Sequence, residues 1–141
     1  MSTHQRNHAC VIAVEPSLGA VLHRETLLVL EDHHHFFEDL SELSPAAQYG
    51  LSLIFRESFA VLDALGWPTA HTGPASVPLT TTHIDRLRRR HHDLIRTHHD
   101  QLATTTSPTD ATTIRTQIDA THLAALALAQ LFTQFERAMR G

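Results

Sequence analysis

Read for its alternation of apolar and polar positions, the chain divides near residue 82 into two differently patterned halves. Residues 10–31, CVIAVEPSLGAVLHRETLLVLE, hold short runs of valine, isoleucine and leucine broken by Pro16, Gly19 and the polar step Arg24-Glu25. Runs of this length and composition, with turn residues between them, predict two or three short strands, TLLVL among them. In DHHHFFEDLSEL, Phe36, Leu40 and Leu43 recur at offsets 0, 4 and 7, the spacing of one face of a short helix.

The later helices are announced by their starts. Ser44-Pro45 and Ser107-Pro108 each place a hydroxyl at the N-cap and a proline at the first helical position, with Asp110 completing a box-like cap at the second. The first of these helices runs from about Pro45 to Leu65, carries Leu51, Ile54, Phe55, Leu62 and Leu65 on one stripe, and stops at Gly66 with Pro68 behind it. WPTAHTGPASVPLTTT, residues 67–82, reads as a loop rich in proline and threonine. Thr82 with Asp85 caps a helix from 83 to about 103. The short TTTSPTD connection then makes the last helix return antiparallel, so that residues 83–141 form a long hairpin.

The last helix carries Ile114, Ile118, Ala125, Leu128 and Phe132 on its main stripe, and Leu123, Leu126 and Leu131 off it. A helix apolar on several sides must be covered on several sides, by the N-terminal half or by a second chain. The predicted architecture is mainly α with a short N-terminal β element, an α+β chain. Its C-terminal antiparallel hairpin packs on an N-terminal strand-helix unit, in one domain over residues 1–141 whose first nine residues are flexible.

Composition narrows the function classes. The net charge is −4 with neutral histidines, and all eleven basic residues are arginine. A net negative chain argues against a general nucleic-acid binder, whose affinity comes from neutralising phosphates. Thirteen histidines would turn −4 into +9 if all were protonated, so mild acid changes the surface. Cys10 is the sole cysteine, which excludes an internal disulfide and any multi-cysteine metal site and fits a reducing compartment. No apolar run has the length of a membrane span and MSTHQRNHAC lacks the features of a secretion signal, which together point to the cytoplasm.

Histidine is the chemistry-bearing residue that stands out. His-His-Asp occurs twice, at His91 and at His98, two helical turns apart. On the helix from 83 to 103, His91 and His98 fall at the centre of the stripe of Ile84, Leu87, Leu94, Ile95 and Leu102, with Asp93 and Asp100 on the opposite side. The repeat is therefore no local triad. These are expected as neutral seam histidines, bonded to a facing threonine such as Thr121, whose protonation loosens the hairpin. Folding the hairpin about residue 107 brings His92 level with His122, and Asp119 lies one turn from His122. The three would offer two nitrogens and one oxygen to zinc or a similar divalent ion. A second candidate cluster is Glu31, His34, His35 and Glu38, pairing at i to i+4 if the segment is α-helical.

The stretch from Leu27 to Gly66, an apolar run read as a strand, a histidine, FEDLSELSP and a long amphipathic helix, resembles the corresponding part of the histidine-triad (HIT) nucleotide-binding proteins. HTGPASVP at 71–78 is a second point of similarity. The resemblance implies a nucleotide-binding relative. That family's chemistry rests on His-x-His-x-His with apolar spacers, and Thr81-Thr82-His83-Ile84-Asp85 keeps only the middle histidine, so the implied relative is degenerate.

No nucleophile stands in a supporting motif and no glycine-rich phosphate loop is present. The expectation is a small cytoplasmic interaction or regulatory protein, without catalysis or cofactor. It would form a homodimer through Leu123, Leu126 and Leu131 of the hairpin, with the seam histidines as a pH-sensitive element and room for a further protein partner, but no nucleic acid or membrane. The alternative is a small metal-binding protein or metal-dependent enzyme using His92, His122 and Asp119.

Overall fold

A computed structural model describes residues 7–67 and 69–141. The order of elements is β1 (Ala9–Val14), α1 (Pro16–His33), two 3-10 turns (His34–Phe37 and Leu40–Glu42), α2 (Pro45–Leu65), β2 (Ala75–Thr80), α3 (Thr81–Thr104) and α4 (Pro108–Arg140). The mainly helical architecture with a short β element and a C-terminal hairpin is the one predicted, but the β element is built differently.

TLLVL is not a strand. It lies inside α1, which begins at Pro16 in the first helical position after the extended residue Glu15. The buried positions of α1, Gly19, Leu22, His23, Glu25, Thr26, Val29 and Leu30, recur at helical spacing, but three of them are polar and so break the apolar stripe that marks a helix in sequence. The strand on which the likeness to histidine-triad proteins depends is therefore absent from residues 27–33. β1 pairs antiparallel with a segment expected as loop, in the register Ala9↔Thr80 to Val14↔Ala75. Pro78 sits within β2, tolerated because each strand of a two-stranded sheet has only one neighbour. Residues expected to be flexible are tied down: Ala9 opens β1, and the Asn7 side chain bonds Glu57 and Thr82. The expectation for residues 1–6 lies outside the described residues.

The predicted starts of α2 and α4 hold. Ser44 Oγ accepts from the Ala47 amide at 3.1 Å, and Ser107 Oγ from the Asp110 amide at 3.4 Å. The cap of α3 lies two residues before the expected one: Thr80, the last residue of β2, accepts from the His83 amide at 3.1 Å. The expected helix in DHHHFFEDLSEL is the pair of 3-10 turns, with Phe36, Phe37 and Leu40 exposed.

The core lies between the sheet and the helices. Ile12, Val14, Val77 and Leu79 meet Leu22 and Val29 of α1, Val61 and Leu65 of α2, Ile84 and Leu87 of α3, and Leu128, Leu131, Phe132 and Phe135 of α4. Leu131, expected at an outer interface, is fully buried in this core. Only the proximal part of the hairpin takes part. From residue 92 to residue 117 no residue is buried, so the distal halves of α3 and α4 project as a two-helix arm with Leu94, Ile95, Leu102 and Ile114 half-covered by each other.

At the end of α2, Gly66 has φ of 109°, a region nearly restricted to glycine, and its carbonyl accepts from His23 Nε2 at 2.8 Å. A Cβ there would stand 2.6 Å from the Thr69 carbonyl oxygen. Gly66→Ala is expected to lower unfolding free energy by about 2 kcal/mol, read by urea denaturation. A change below about 0.5 kcal/mol, the range of a surface substitution, would contradict this backbone assignment.

Candidate functional site

Two places gather polar chemistry: a buried layer where α3 meets α1 and α2, and a groove along the arm.

The buried layer centres on two carboxylates. Glu25 is 4% exposed, and its Oε1 accepts from His91 Nε2 at 2.5 Å and from Arg90 Nη1 at 3.5 Å, while Arg24 Nε lies 3.3 Å from Oε2. Burial pushes this carboxyl up, but the hydrogen bond and charge of His91, with Arg24 and Arg90, outweigh it and hold it below its ordinary value. Arg90 also reaches Asp32 at 2.7 Å. Glu57 is the second. Burial again pushes upward, and the Thr80 and Thr82 hydroxyls, the Asn7 amide and Arg86 hold the acid down at about 2. Arg86 Nη2 donates to its Oε1 at 2.7 Å. Thr82, expected to cap α3, thus spends its hydroxyl on Glu57.

His83 is fully buried in the same layer. Its Nε2 shares a hydrogen bond of 3.2 Å with Thr26 Oγ1, and its Nδ1 has no partner among the described residues. An imidazolium donates from both nitrogens, so this setting suits the neutral ring. Burial, with the nearby charge of Arg86 and against that of Glu57, brings its pKa down to about 4. The seam pattern passed over His83 because it lies one residue before the first apolar position, Ile84.

The two seam histidines differ from each other. His91 is buried, but its partner is the Glu25 carboxylate of α1 and not a threonine of α4; Thr121 bonds the Gln117 carbonyl of its own helix. His91 is thus buried as expected, but a carboxylate of α1 stands where a threonine of the facing helix was expected. His98 is half-buried, with Nδ1 3.2 Å from Gln101 Oε1. The difference between two copies of one tripeptide comes from what meets the helix: α1 is in direct contact with the first copy, and at the second it stands across an open groove.

His92, Asp119 and His122 are all exposed. Among the described residues no group of three His, Cys, Asp or Glu side chains is arranged to hold a metal ion. Glu31, His34, His35 and Glu38 are exposed too, and they straddle the end of α1 at His33, so the i to i+4 pairing of an α-helix is lost. His35 instead lies against Phe36, with ring centroids 4.1 Å apart.

The groove has a volume of about 630 Å3. Its wall is α1, through Arg24, Glu25 and Leu28, and its floor is the hairpin, through Leu94 and His98 of α3 and Gln117, Ala120, Thr121 and Ala124 of α4, with Leu123 on the rim. Leu123 and Leu126 are 68% and 67% exposed. A further apolar surface had no sequence signal beyond scattered aromatics: Phe37, Phe55, Phe59 and Trp67 form a chain with centroid separations of 4.4, 6.2 and 6.1 Å. Among the described residues, no helix is long and apolar enough to cross a membrane. No protein-family model, curated protein or solved structure matches the chain.

Proposed function

We propose that the protein is a small interaction module that works as a homodimer, joined through the exposed outer flank of α4 in its C-terminal hairpin. The observation that carries this reading is the pair Leu123 and Leu126, each about two-thirds exposed on a regular helix beside a groove with a partly apolar floor. Support comes also from the arm, whose apolar residues are covered from one side only, because two helices leave each other's outer flanks open to water.

Covering the exposed part of each leucine contributes about 1.5 kcal/mol. Leu123→Glu with Leu126→Glu is therefore expected to weaken self-association by about a hundredfold. Sedimentation of wild type should show dimers at micromolar concentration, and the double variant should run as monomer with its far-ultraviolet circular dichroism unchanged. A wild type that remains monomeric through that range overturns the proposal.

A further inference from the structure

Phe37, Phe59 and Trp67 are 44%, 42% and 54% exposed, and with the half-buried Phe55 they make one continuous aromatic edge along α2. The helix builds most of it. Phe55 and Phe59 stand one turn apart, and Asp63 and Trp67 follow at the same step of four. Trp67 lies past the helix end, yet its ring returns to Phe59, edge to face at 78°. At the other end Phe37 meets Phe55 at 89°, while Gln48 donates to the carbonyls of Leu40 and Leu43 and so ties the 3-10 turns to α2. An edge-to-face pair spends only the edge of one ring, and the faces of that ring stay open to a further group.

Carboxylates line the same edge. Glu38 and Asp39 follow Phe37 directly, Glu42 lies in the next turn, and Asp63 stands one turn from both Phe59 and Trp67. All four are exposed, and none is in an ion pair among the described residues. Against them α2 sets a single cation, Arg56. Open aromatic faces attract a guanidinium through the ring quadrupole, and a carboxylate beside the ring accepts from its N–H groups. The chain makes such a contact itself: Arg88 lies over the Phe132 ring, 4.7 Å from its centroid, and donates to Glu136 at 2.9 Å.

We infer that this edge docks an arginine-bearing amphipathic helix of a partner protein, whose apolar face covers the rings and whose guanidinium groups stack on them beside Asp63 and the Glu38-Asp39 pair. The surface lies on α2 and the 3-10 turns, apart from the α4 flank, so it goes beyond the dimer and does not depend on it. An acidic partner would meet four like charges here, and a membrane rich in anionic headgroups would meet the same repulsion.

Trp67 is the sole tryptophan, so its emission reports directly on whatever covers this edge. Titrating the full chain with a tryptophan-free helical peptide of about 18 leucine, arginine and glutamine residues, apolar on one face, should move that emission to shorter wavelength. The same peptide with glutamate for arginine should not. Glu38→Lys with Asp63→Lys is expected to weaken the arginine peptide about tenfold. Asp100→Lys with Asp110→Lys makes the same charge change at the hairpin tip and should weaken it by under about twofold. Phe59→Ala should cost about fivefold, with the far-ultraviolet circular dichroism of every variant unchanged. Equal shifts with the two peptides, or equal losses in the two charge-reversed variants, mean apolar or general electrostatic attraction and overturn the inference. So does an emission that moves with the chain's own concentration in the absence of peptide, which means that a second copy covers Trp67. An emission moved by phosphatidylglycerol vesicles but not by the arginine peptide, or by no probe at all, overturns it as well.

Discussion

Glu25→Ala is expected to lower the unfolding free energy by about 3 kcal/mol and the melting temperature by roughly 10 °C. Glu25 is 4% exposed and is the common acceptor for His91 and Arg90, themselves at 5% and 15% side-chain exposure. Removing it strands a buried guanidinium and a buried imidazole, and breaking one side of a buried pair costs more than the pair itself contributes. The loss falls at the lower end for such pairs because Arg90 keeps Asp32 at 2.7 Å. Glu25→Gln keeps one acceptor oxygen and should lose about half as much. The carboxyl also sets an acid limit. Its folded pKa lies below its unfolded value of 4.5, so its stabilisation is complete above 4.5 and is lost as pH falls through the folded value. Thermal melts at pH 7 of wild type and both variants check the ranking. A Glu25→Ala protein that melts within 2 °C of wild type would show that α1 and α3 are not joined at this contact.

The second large effect is in pH. His83 has a folded pKa of about 4 against 6.5 unfolded, so the folded state binds fewer protons than the unfolded state throughout that interval. Stability from this residue is therefore undiminished well above pH 6.5, declines as pH falls through 6.5, and levels off below about 4. By pH 5 the loss is about 2 kcal/mol relative to neutral pH. His83→Gln keeps a side chain able to bond Thr26 and does not titrate. Urea unfolding from pH 7.5 to 5 should show wild type losing about 2 kcal/mol more than the variant over that range. Equal slopes for the two proteins would place His83 in contact with solvent or with a carboxylate. Because other histidines titrate in the same window, the difference between the two proteins is the quantity to compare.

What could be read without coordinates was whatever adjacent residues decide among themselves. The start of α2, the reversal at TTTSPTD and the hairpin follow from local rules: a serine oxygen within reach of an amide three residues on, a proline with no amide to lose, and a connection too short to do anything but turn back. Leu123 and Leu126 were legible as surplus apolar positions because periodicity separates stripe from flank. Tertiary structure decided the rest wherever a polar residue was buried or a partner came from far along the chain. α1 reads as strands in the sequence because Pro16, Gly19 and Arg24-Glu25 divide its apolar runs and because its inner face includes the polar residues His23 and Thr26. They are tolerated there only by the Gly66 carbonyl, 43 residues away, and by His83, 57 residues away. β2 was read as loop because its proline and serine suit a strand only when β1, more than sixty residues earlier, supplies the single edge it needs. Leu131 was assigned to an outer interface and lies in the core, since a helix covered by α1 on one side and α3 on another buries faces that a single stripe does not describe. His91 and His98 show the limit most directly: the same tripeptide in the same helix at the same phase is bound to a buried carboxylate in one copy and half-exposed in the other. Spacing fixes the side of a helix on which a residue stands; whether another element arrives at that side depends on long-range packing that no local pattern contains.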